Sequence, residues 1–520
     1  MLDQTYLDTA HLLRRAGFGA SPETVQASAR AGLAATTEAL LHPERGPQDP
    51  DDSDMVQKLA DMVPDKKIKQ TPTQFVKIWW THRLLTTQHP LVEKMVLFWH
   101  GHFTSKLGDG DAMLAQNQLF RRNALGNFRT LTLAVSQDAA MLKYLNGNQN
   151  FKAHPNENYA RELMELFTCG IGHYTEDDVK AAARAFSGWN LRQDEFRFNP
   201  RQHDDTTKTF LGKTGNWNGS DVVDMLVAHP ATAARICKQL FEYFAYPDPE
   251  PAVLNALTKT YYASGYDIRA IVGQILQSKA FYSEKARSAI IKSPVQFVIG
   301  SIKMLGLEPA FDASQEDIAN ASNSMMDANN NANASPAQPA KGLGDVLRTA
   351  KVGRLAGLTI SMRSMGQDIL APPSVKGWDG EEAWINSATL LNRINFANRI
   401  SQSRPLYRFL EPVVQDYAVK NNMSEQTAWV EYLALALGPL KLAPTARETL
   451  VAFANGQGPY AGHADQFAST EATDVAAVDT PEQGGGPRRR LGPAPLVGGD
   501  QGRMLALIPL IMATPEYQVC

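Results

Sequence analysis

The sequence is poor in cysteine, in excess charge of either sign and in long apolar runs, and each shortage excludes a class of protein. Three cysteines in 520 residues (Cys169, Cys237 and Cys520) are too few and too scattered for a disulfide framework or a thiolate zinc site, so we expect three reduced thiols. Lysine and arginine number 51 against 54 aspartates and glutamates, and this balance argues against a nucleic-acid partner. The longest apolar runs, such as 505–513, are about half of the roughly 20 residues that a membrane-spanning helix needs, so we expect no membrane span.

Targeting signals and common catalytic motifs are missing as well. The first residues carry neither the basic segment nor the apolar stretch of a signal peptide. The sequence as written therefore predicts a cytoplasmic protein, or a periplasmic or exported one if a leader has been removed. The chain contains no P-loop, no G-x-G-x-x-G after a strand, no G-x-S-x-G and no H-E-x-x-H. These absences argue against the common NTPase, Rossmann, α/β-hydrolase and zincin proteins.

Most of the chain shows the apolar period of α-helices. One helix opens with a capping-box pattern at 175–178 and closes at Ser187-Gly188. Strand signal is confined to 196–198 and 208–211, which could form one hairpin. We predict a mainly α fold, a large multi-helix body with at most one or two short β-hairpins and two long irregular loops. Further helical stripes run through 73–107, 111–144, 156–169, 220–244, 253–264, 268–281 and 387–401.

Two segments interrupt the helical pattern. Residues 313–341 are rich in Asn, Ala and Ser, and residues 465–502 are rich in Gly and Pro. Neither segment has the apolar content to offset an ordering entropy of about 1–2 kcal/mol per residue. We expect them to separate a helical region at 1–312, which carries the His and Glu motifs, from a helical region at 342–464 and from a terminal helix at 503–520 that packs back on the core.

The block at 98–103, Phe-Trp-His-Gly-His-Phe, contains the first candidate site residue. Residues two apart on a helix point about 200° apart, so His100 and His102 cannot both face one ion. With Leu91 as reference, His102 falls inside the apolar stripe and His100 at its edge. His102 is then either a core histidine bonded to a carbonyl or carboxylate, or a ligand or acid–base group.

The helix predicted after His154-Pro155 carries the second group of candidates. Asn156 can cap it, and Glu157 lies where the helix dipole favours an anion. Arg161, Glu162 and Glu165 lie on its polar side. This side is either a solvated face with ordinary ion pairs or a set of carboxylates that binds a cation or acts as acid and base. The apolar face consists of Tyr159, Leu163, Leu166 and Phe167.

Aromatic residues beside Gly, Asn and Asp mark several loops. Their rings could line a groove that stacks on sugars, or they could hold the loops onto the core. The candidate substrate-binding residues are His173, Trp189, His203 and Trp378.

Many short motifs occur in the order found in one known family. They include 11–19, 98–103, 154–189, 372–378 and 513–517. Through these motifs the chain resembles, over nearly its full length, the bacterial family called domain of unknown function 1800. The resemblance implies no established activity. It does imply genes that commonly lie beside a family related to sulfatases and alkaline phosphatases, and members that often carry export signals, unlike this sequence. The resemblance implies that eight residues are stronger candidates for functional roles, because they lie in the recurring motifs of the family. They are His102, Asn156, Glu157, Arg161, Glu162, Glu165, His173 and His203.

We therefore expect an enzyme centred on histidine and carboxylates that acts on a glycan or envelope-derived substrate. His102, Arg161, Glu162 and Glu165 would be its catalytic residues. A divalent metal, if one is used, would be held by His102, Glu162 and Glu165. The alternative is a non-catalytic binding or assembly protein that partners a sulfatase/alkaline-phosphatase-like protein.

Overall fold

The fold is mainly α, as predicted. The computed structural model describes residues 3–50, 54–61, 71–312, 350–401, 404–457 and 500–520. These residues form 23 α-helices and two two-stranded antiparallel sheets. The predicted loose segment 313–341 lies outside the described residues, as does 465–499 of the predicted Gly/Pro-rich segment.

The helices and strands follow one another along the chain, with long connections before α16 and between α17 and α18. The first helices are α1 Gln4–Arg15, α2 Pro22–Ala31, α3 Leu33–Leu41, α4 Asp54–Asp61, α5 Thr73–Thr86, α6 Pro90–His102, α7 Gly110–Arg122, α8 Phe128–Ser136, α9 Ala139–Tyr144, α10 Asn158–Glu162 and α11 Glu176–Phe186. The strands are β1 Trp189–Arg192, β2 Glu195–Phe198, β3 Lys208–Phe210 and β4 Lys213–Gly215. The remaining helices are α12 Gly219–Val227, α13 Pro230–Phe244, α14 Pro251–Ala263, α15 Ile268–Leu276, α16 Pro294–Met304, α17 Ala350–Ser364, α18 Ser387–Ser401, α19 Arg404–Asn421, α20 Glu425–Ala436, α21 Pro444–Ala454, α22 Asp500–Met512 and α23 Pro515–Gln518.

The strands form two hairpins, in place of the single hairpin expected from 196–198 and 208–211. β1 pairs with β2, and β3 pairs with β4. The reason is turn geometry. Gln193 and Asp194 turn β1 into β2 with φ of 52° and 61°, and the turn at 211–212 also has positive φ at both residues. Two such residues make the tight turn that matches the twist of antiparallel strands, so each strand pairs with its immediate neighbour.

Helix α11 begins at the capping box that the sequence predicts. The Thr175 side chain accepts a hydrogen bond from the Asp178 main chain, and the Asp178 carboxylate accepts one from the Thr175 main chain. The helix ends before Ser187. This confirms the predicted capping box and the predicted end of the helix.

One hydrophobic core contains side chains from Leu12 to Tyr517. Phe297 on α16 is fully buried, and its ring centroid lies 6.0 Å from that of Phe396 and 5.4 Å from that of Tyr517. Helix α22 begins three residues before the predicted terminal helix and packs against α18, α20 and α21.

The remaining sequence expectations about the chain as a whole concern thiols and membranes. All three cysteines are buried and unpaired with one another, which confirms the predicted free thiols. Within the described ranges, no helix combines the length and the apolar character needed to cross a bilayer.

Candidate active site

His102 ends α6 inside a shell of aromatic rings. Its Nε2 donates a hydrogen bond to the main-chain oxygen of Phe167 at 3.0 Å. Burial lowers the pKa of His102 to about 3, because the charged imidazole would lose its hydration, so the ring is neutral at pH 7. The rings of Phe98, Trp99, Phe103, Phe128 and Phe167 have centroids between 4.6 and 6.4 Å from that of His102.

The Phe167 carbonyl that binds His102 lies at the end of a π-helix. After α10, the segment Leu163–Phe167 winds as a π-helix, which has one more residue per turn than an α-helix. The wider turn rotates the following side chains. Met164 is therefore fully buried, whereas Leu166, which we predicted to be core, is only partly buried. Three predicted core residues are buried as expected: Tyr159, Leu163 and Phe167.

The carbonyls at the end of this π-helix need donors because no further helical turn supplies them. Arg235 donates from Nη2 to Leu166 at 3.1 Å, and Thr168 donates from Oγ1 to Leu163 at 2.6 Å. The His102 hydrogen bond to Phe167 belongs to the same set. His102 thus matches the core interpretation, a histidine bonded to a carbonyl.

His100 is even more enclosed, at 1% exposure, so the expected order of burial of the two histidines was reversed. Its Nε2 accepts a hydrogen bond from the main-chain N–H of Leu370 at 3.1 Å, and the Trp378 ring packs against it at 5.5 Å between centroids. The loop that covers His100 is distant in sequence, so the helical wheel could not include it.

Two carboxylates of the segment 157–167, Glu157 and Glu165, have partners other than His102. Arg161 binds both oxygens of Glu176 at 2.6 and 2.8 Å and lies 3.4 Å from Glu157. Glu165 accepts a hydrogen bond from Tyr174 at 3.1 Å. These contacts correspond to the solvated-face interpretation of this helix.

Glu162 is partly buried, and this burial raises its pKa, to which the neighbouring Glu165 carboxylate adds. Among the described residues, no group of three or more His, Cys, Asp or Glu side chains could hold a metal ion. His102, Glu162 and Glu165 therefore do not form a metal-binding group with one another. Their catalytic roles and that of Arg161 stay predictions.

Two of the predicted substrate-binding residues hold the hairpins onto the core. Trp189 is 5% exposed and lies between the rings of Phe186 and Phe196, at 5.0 and 5.1 Å between centroids. His203 donates a hydrogen bond from Nδ1 to the Ser187 carbonyl at 2.9 Å. Neither residue lines the cavity described next.

His102 and Trp378 line the same cavity, which we call the Trp378 cavity, whereas the exposed His173 does not. The cavity has a volume of about 360 Å³ and lies between α6, α13, the chain before α16 and the loop between α17 and α18. Polar and aromatic side chains on its wall are Lys94, His102, Gln239, Glu242, Gln296, Trp378, Glu381 and Trp384.

Gly377 brings the Trp378 loop onto the end of α6. A Cβ atom at Gly377 would lie 2.6 Å from the carbonyl oxygen of Gly101, and Gly377 has a φ of 89°. Only glycine meets both demands, close approach and positive φ. The motifs at 98–103 and 372–378, which the sequence showed separately, therefore meet here.

Lys94 is the residue of this site that the sequence analysis missed. It is 3% exposed, donates from Nζ to the Gln296 side-chain oxygen at 2.7 Å, and lies 5.2 Å from the ring centroids of both Phe18 and Tyr243. Burial lowers its pKa to about 7. A signal existed, because Lys94 follows Leu91 by three residues and so occupies a core position of an apolar stripe, where an unpaired lysine is rare.

The lining of the Trp378 cavity also includes carboxylates and a side-chain oxygen that accepts no hydrogen bond from the described residues. Glu381 stays exposed at the mouth with a φ of 44°; partial burial raises its pKa, and the nearby Glu242 carboxylate adds to the rise. The side-chain oxygen of Gln239 is shielded from solvent and accepts no hydrogen bond from the described residues. Buried acceptors without donors are uncommon, and this one lines a cavity large enough for a ligand.

The arrangement combines the elements of acid–base chemistry. A lysine that is half neutral near pH 7 can accept a proton, and a carboxyl with a raised pKa can donate one. Trp378 offers an aromatic wall, and Gln239 offers an acceptor for a ligand hydroxyl. Glu381 could not be identified from the sequence, because it lies in an irregular loop without a helical or strand period.

The chain was compared with known proteins. The model of one family, described as Protein of unknown function (DUF1800), matches residues 11–519. No curated protein and no solved structure matches the chain. The matched range includes every residue named for the Trp378 cavity.

Proposed function

For this chain, which belongs to the DUF1800 family of proteins of unknown function, we propose an enzyme that performs acid–base chemistry on a glycan in the Trp378 cavity. The observation that carries the proposal is one cavity whose lining includes Lys94, Glu381, Gln239 and Trp378. Perturbed titratable groups that converge in a cavity are typical of active sites.

Each residue has a role in this proposal. Lys94, whose pKa burial lowers to about 7, takes in its neutral form a proton from the substrate or from the attacking water. Glu381, whose pKa is raised by partial burial and by Glu242, gives a proton to the leaving oxygen, so the reaction is a hydrolysis or an elimination. Trp378 stacks on the apolar face of a sugar ring, and the Gln239 oxygen accepts from a hydroxyl. His102 holds the wall by its bond to the π-helix.

This assignment moves the predicted catalytic centre from the α10 carboxylates to the loop after Trp378. A divalent metal stays a prediction as well, and metal analysis of the purified chain with His102→Ala as control tests it.

The experiment is turnover of a panel of envelope polysaccharides and their oligosaccharides by the full chain. New reducing ends report hydrolysis, and absorbance of unsaturated products reports elimination. We expect Glu381→Gln and Lys94→Met to lower kcat by about 10²–10⁴-fold, the usual contribution of general acid–base catalysis, and Trp378→Ala to act mainly on KM. Glu195→Gln, an exposed carboxylate on β2, serves as the control and should leave both constants unchanged.

Two results would overturn the enzyme proposal. One is the absence of turnover across the whole panel. The other is turnover that Glu381→Gln and Lys94→Met leave at the parent level.

The alternative role, assembly with a sulfatase-like protein, is supported by one surface feature. Ile171 is 76% exposed between Gly170 and Gly172, which both have positive φ, so a turn presents an apolar side chain to solvent. A pull-down with such a partner, compared between the parent and Ile171→Ser, tests this role. Equal capture by both proteins would remove its support.

A further inference from the structure

A second group of buried cations lies beside Cys520, on the far side of Gln296 from the Trp378 cavity. Gln296 accepts from Lys94 and donates to the Cys520 sulfur at 3.4 Å, and Arg15 donates to the Cys520 main-chain oxygen at 2.5 Å. Arg15 is satisfied, because it also donates to the carbonyls of residues 244 and 245 at 2.8 and 2.6 Å. Two further cations of this group, Arg14 and Lys292, have no such partners.

Arg14 and Lys292 line a cavity of about 280 Å³, which we call the Arg14 cavity. Nη1 of Arg14 is shielded from solvent, and no described residue offers it a hydrogen-bond acceptor. Gly438 lies directly against the Arg14 side chain, because a Cβ atom there would lie 3.1 Å from the Arg14 Cδ.

Lys292 is 2% exposed. Its Nζ lies 3.4 Å from the centroid of the Tyr517 ring, and the described residues place no oxygen acceptor within hydrogen-bond distance of it. Burial lowers its pKa to about 7, because the charged form loses its hydration; Cys520 opposes this shift, and Arg14 and Arg393 add to it.

The charges at the rim of the Arg14 cavity are different, because they neutralise one another. Arg287 pairs with Asp8, and Lys441 lies 3.6 Å from Glu284. Glu516, which also lines the cavity, accepts a hydrogen bond from the Ala443 main chain. The interior holds two cations, Arg14 and Lys292, that form no ion pair with a described Asp or Glu side chain. A cavity of this kind favours an anion that accepts hydrogen bonds from both a guanidinium and an ammonium group.

We propose that the Arg14 cavity binds a small oxyanion, a phosphate or a phosphate group of a small ligand, between the Arg14 guanidinium and the Lys292 ammonium. The bound oxygens replace the acceptors that the protein does not supply. The site is separate from the Trp378 cavity, and it does not depend on the function proposed there.

Binding to the full chain is measured by calorimetry with inorganic phosphate and with glycerol phosphate, in sodium chloride of matched ionic strength. We expect saturable binding of at least one of them, weakened at least about tenfold by Lys292→Met and by Arg14→Met. Lys303→Met is the matched control, because Lys303 bonds to the Leu85 carbonyl at 2.7 Å and does not line the cavity. The Lys303→Met variant should bind phosphate with the same affinity as the parent.

Both cavity variants should fold, since an apolar side chain of similar length removes a buried unpaired charge; circular dichroism checks this. Binding of inorganic phosphate alone identifies a free oxyanion as the ligand, and binding of glycerol phosphate alone identifies a phosphorylated compound. The proposal is overturned if the folded parent binds neither, or if Lys292→Met and Arg14→Met bind as tightly as the parent.

Discussion

At the scale of single residues, burial decides which titratable groups carry charge. His102 and Lys94 can both carry a positive charge, but burial lowers the pKa of His102 to about 3 and that of Lys94 to about 7. Sequence position could predict that His102 faces the apolar side. It could not predict the partner, because a main-chain carbonyl is present in every residue and only the fold decides which one is left without a donor.

The buried lysine predicts a dependence of stability on pH. Unfolded Lys94 keeps its proton up to about pH 10.5, whereas folded Lys94 loses it near pH 7. Between these values the unfolded chain binds more protons, so Lys94 makes the free energy of unfolding rise with pH, by at most about 1.4 kcal/mol per pH unit. Below pH 7 both states are protonated and the contribution is flat.

Lys94→Met should therefore show a shallower rise between pH 7 and pH 9, as measured by urea unfolding at a series of pH values. Leu97→Met, on the same helix and without a charge, is the control and should keep the slope of the parent. Equal slopes for the parent and Lys94→Met would show that Lys94 is not buried as an unpaired cation.

At the scale of elements, patterns that are local in sequence could be predicted and irregular ones could not. The Thr175–Asp178 capping box is written in four consecutive residues, and it set the start of α11 correctly. The hairpins depend on positive φ at Gln193 and Asp194, residues that carry no glycine signal, so the pairing of β2 was wrong. The π-helix at 163–167 has no distinct residue pattern, and it changes both the buried face and the carbonyl that meets His102.

The link between α6 and the π-helix predicts a further effect of mutation. His102→Phe keeps an aromatic ring but leaves the Phe167 carbonyl without a donor, so we expect a loss of about 1–3 kcal/mol of unfolding free energy at pH 7. The native pKa of about 3 lies below the unfolded value of 6.5, so the unfolded parent binds an extra proton between these values and the parent loses stability as pH falls. The difference from His102→Phe should therefore be largest above pH 6.5 and should shrink below it.

Chemical denaturation of both proteins at pH 4.5 and pH 7.5 measures this difference. His173→Ala, at an exposed ring on the surface, is the control and should change stability by no more than about 0.5 kcal/mol. A difference that grows as the pH falls would contradict a neutral His102.

At the scale of the whole molecule, the hydrophobic core runs across the divisions that composition suggested. Helix α17 packs against α5 and α16, and α22 packs against α18 and α20. Composition predicts loose segments at 313–341 and 465–502, and these stay predictions, because only 500–502 among them are described and these residues begin α22. It could not tell whether the helical regions on either side share a core, because contacts between distant segments have no local signature.

The shared core predicts a single cooperative unfolding transition for the described helices. Leu12 and Leu507 are both fully buried in it, although nearly five hundred positions separate them in sequence. Leu12→Ala and Leu507→Ala should each cost about 2–5 kcal/mol and lower the midpoint of the same calorimetric peak. Val419→Ala, at a side chain 83% exposed, should leave that peak in place. Two peaks, one moved only by Leu12→Ala and the other only by Leu507→Ala, would instead show that the regions before and after the 313–341 segment fold as separate domains.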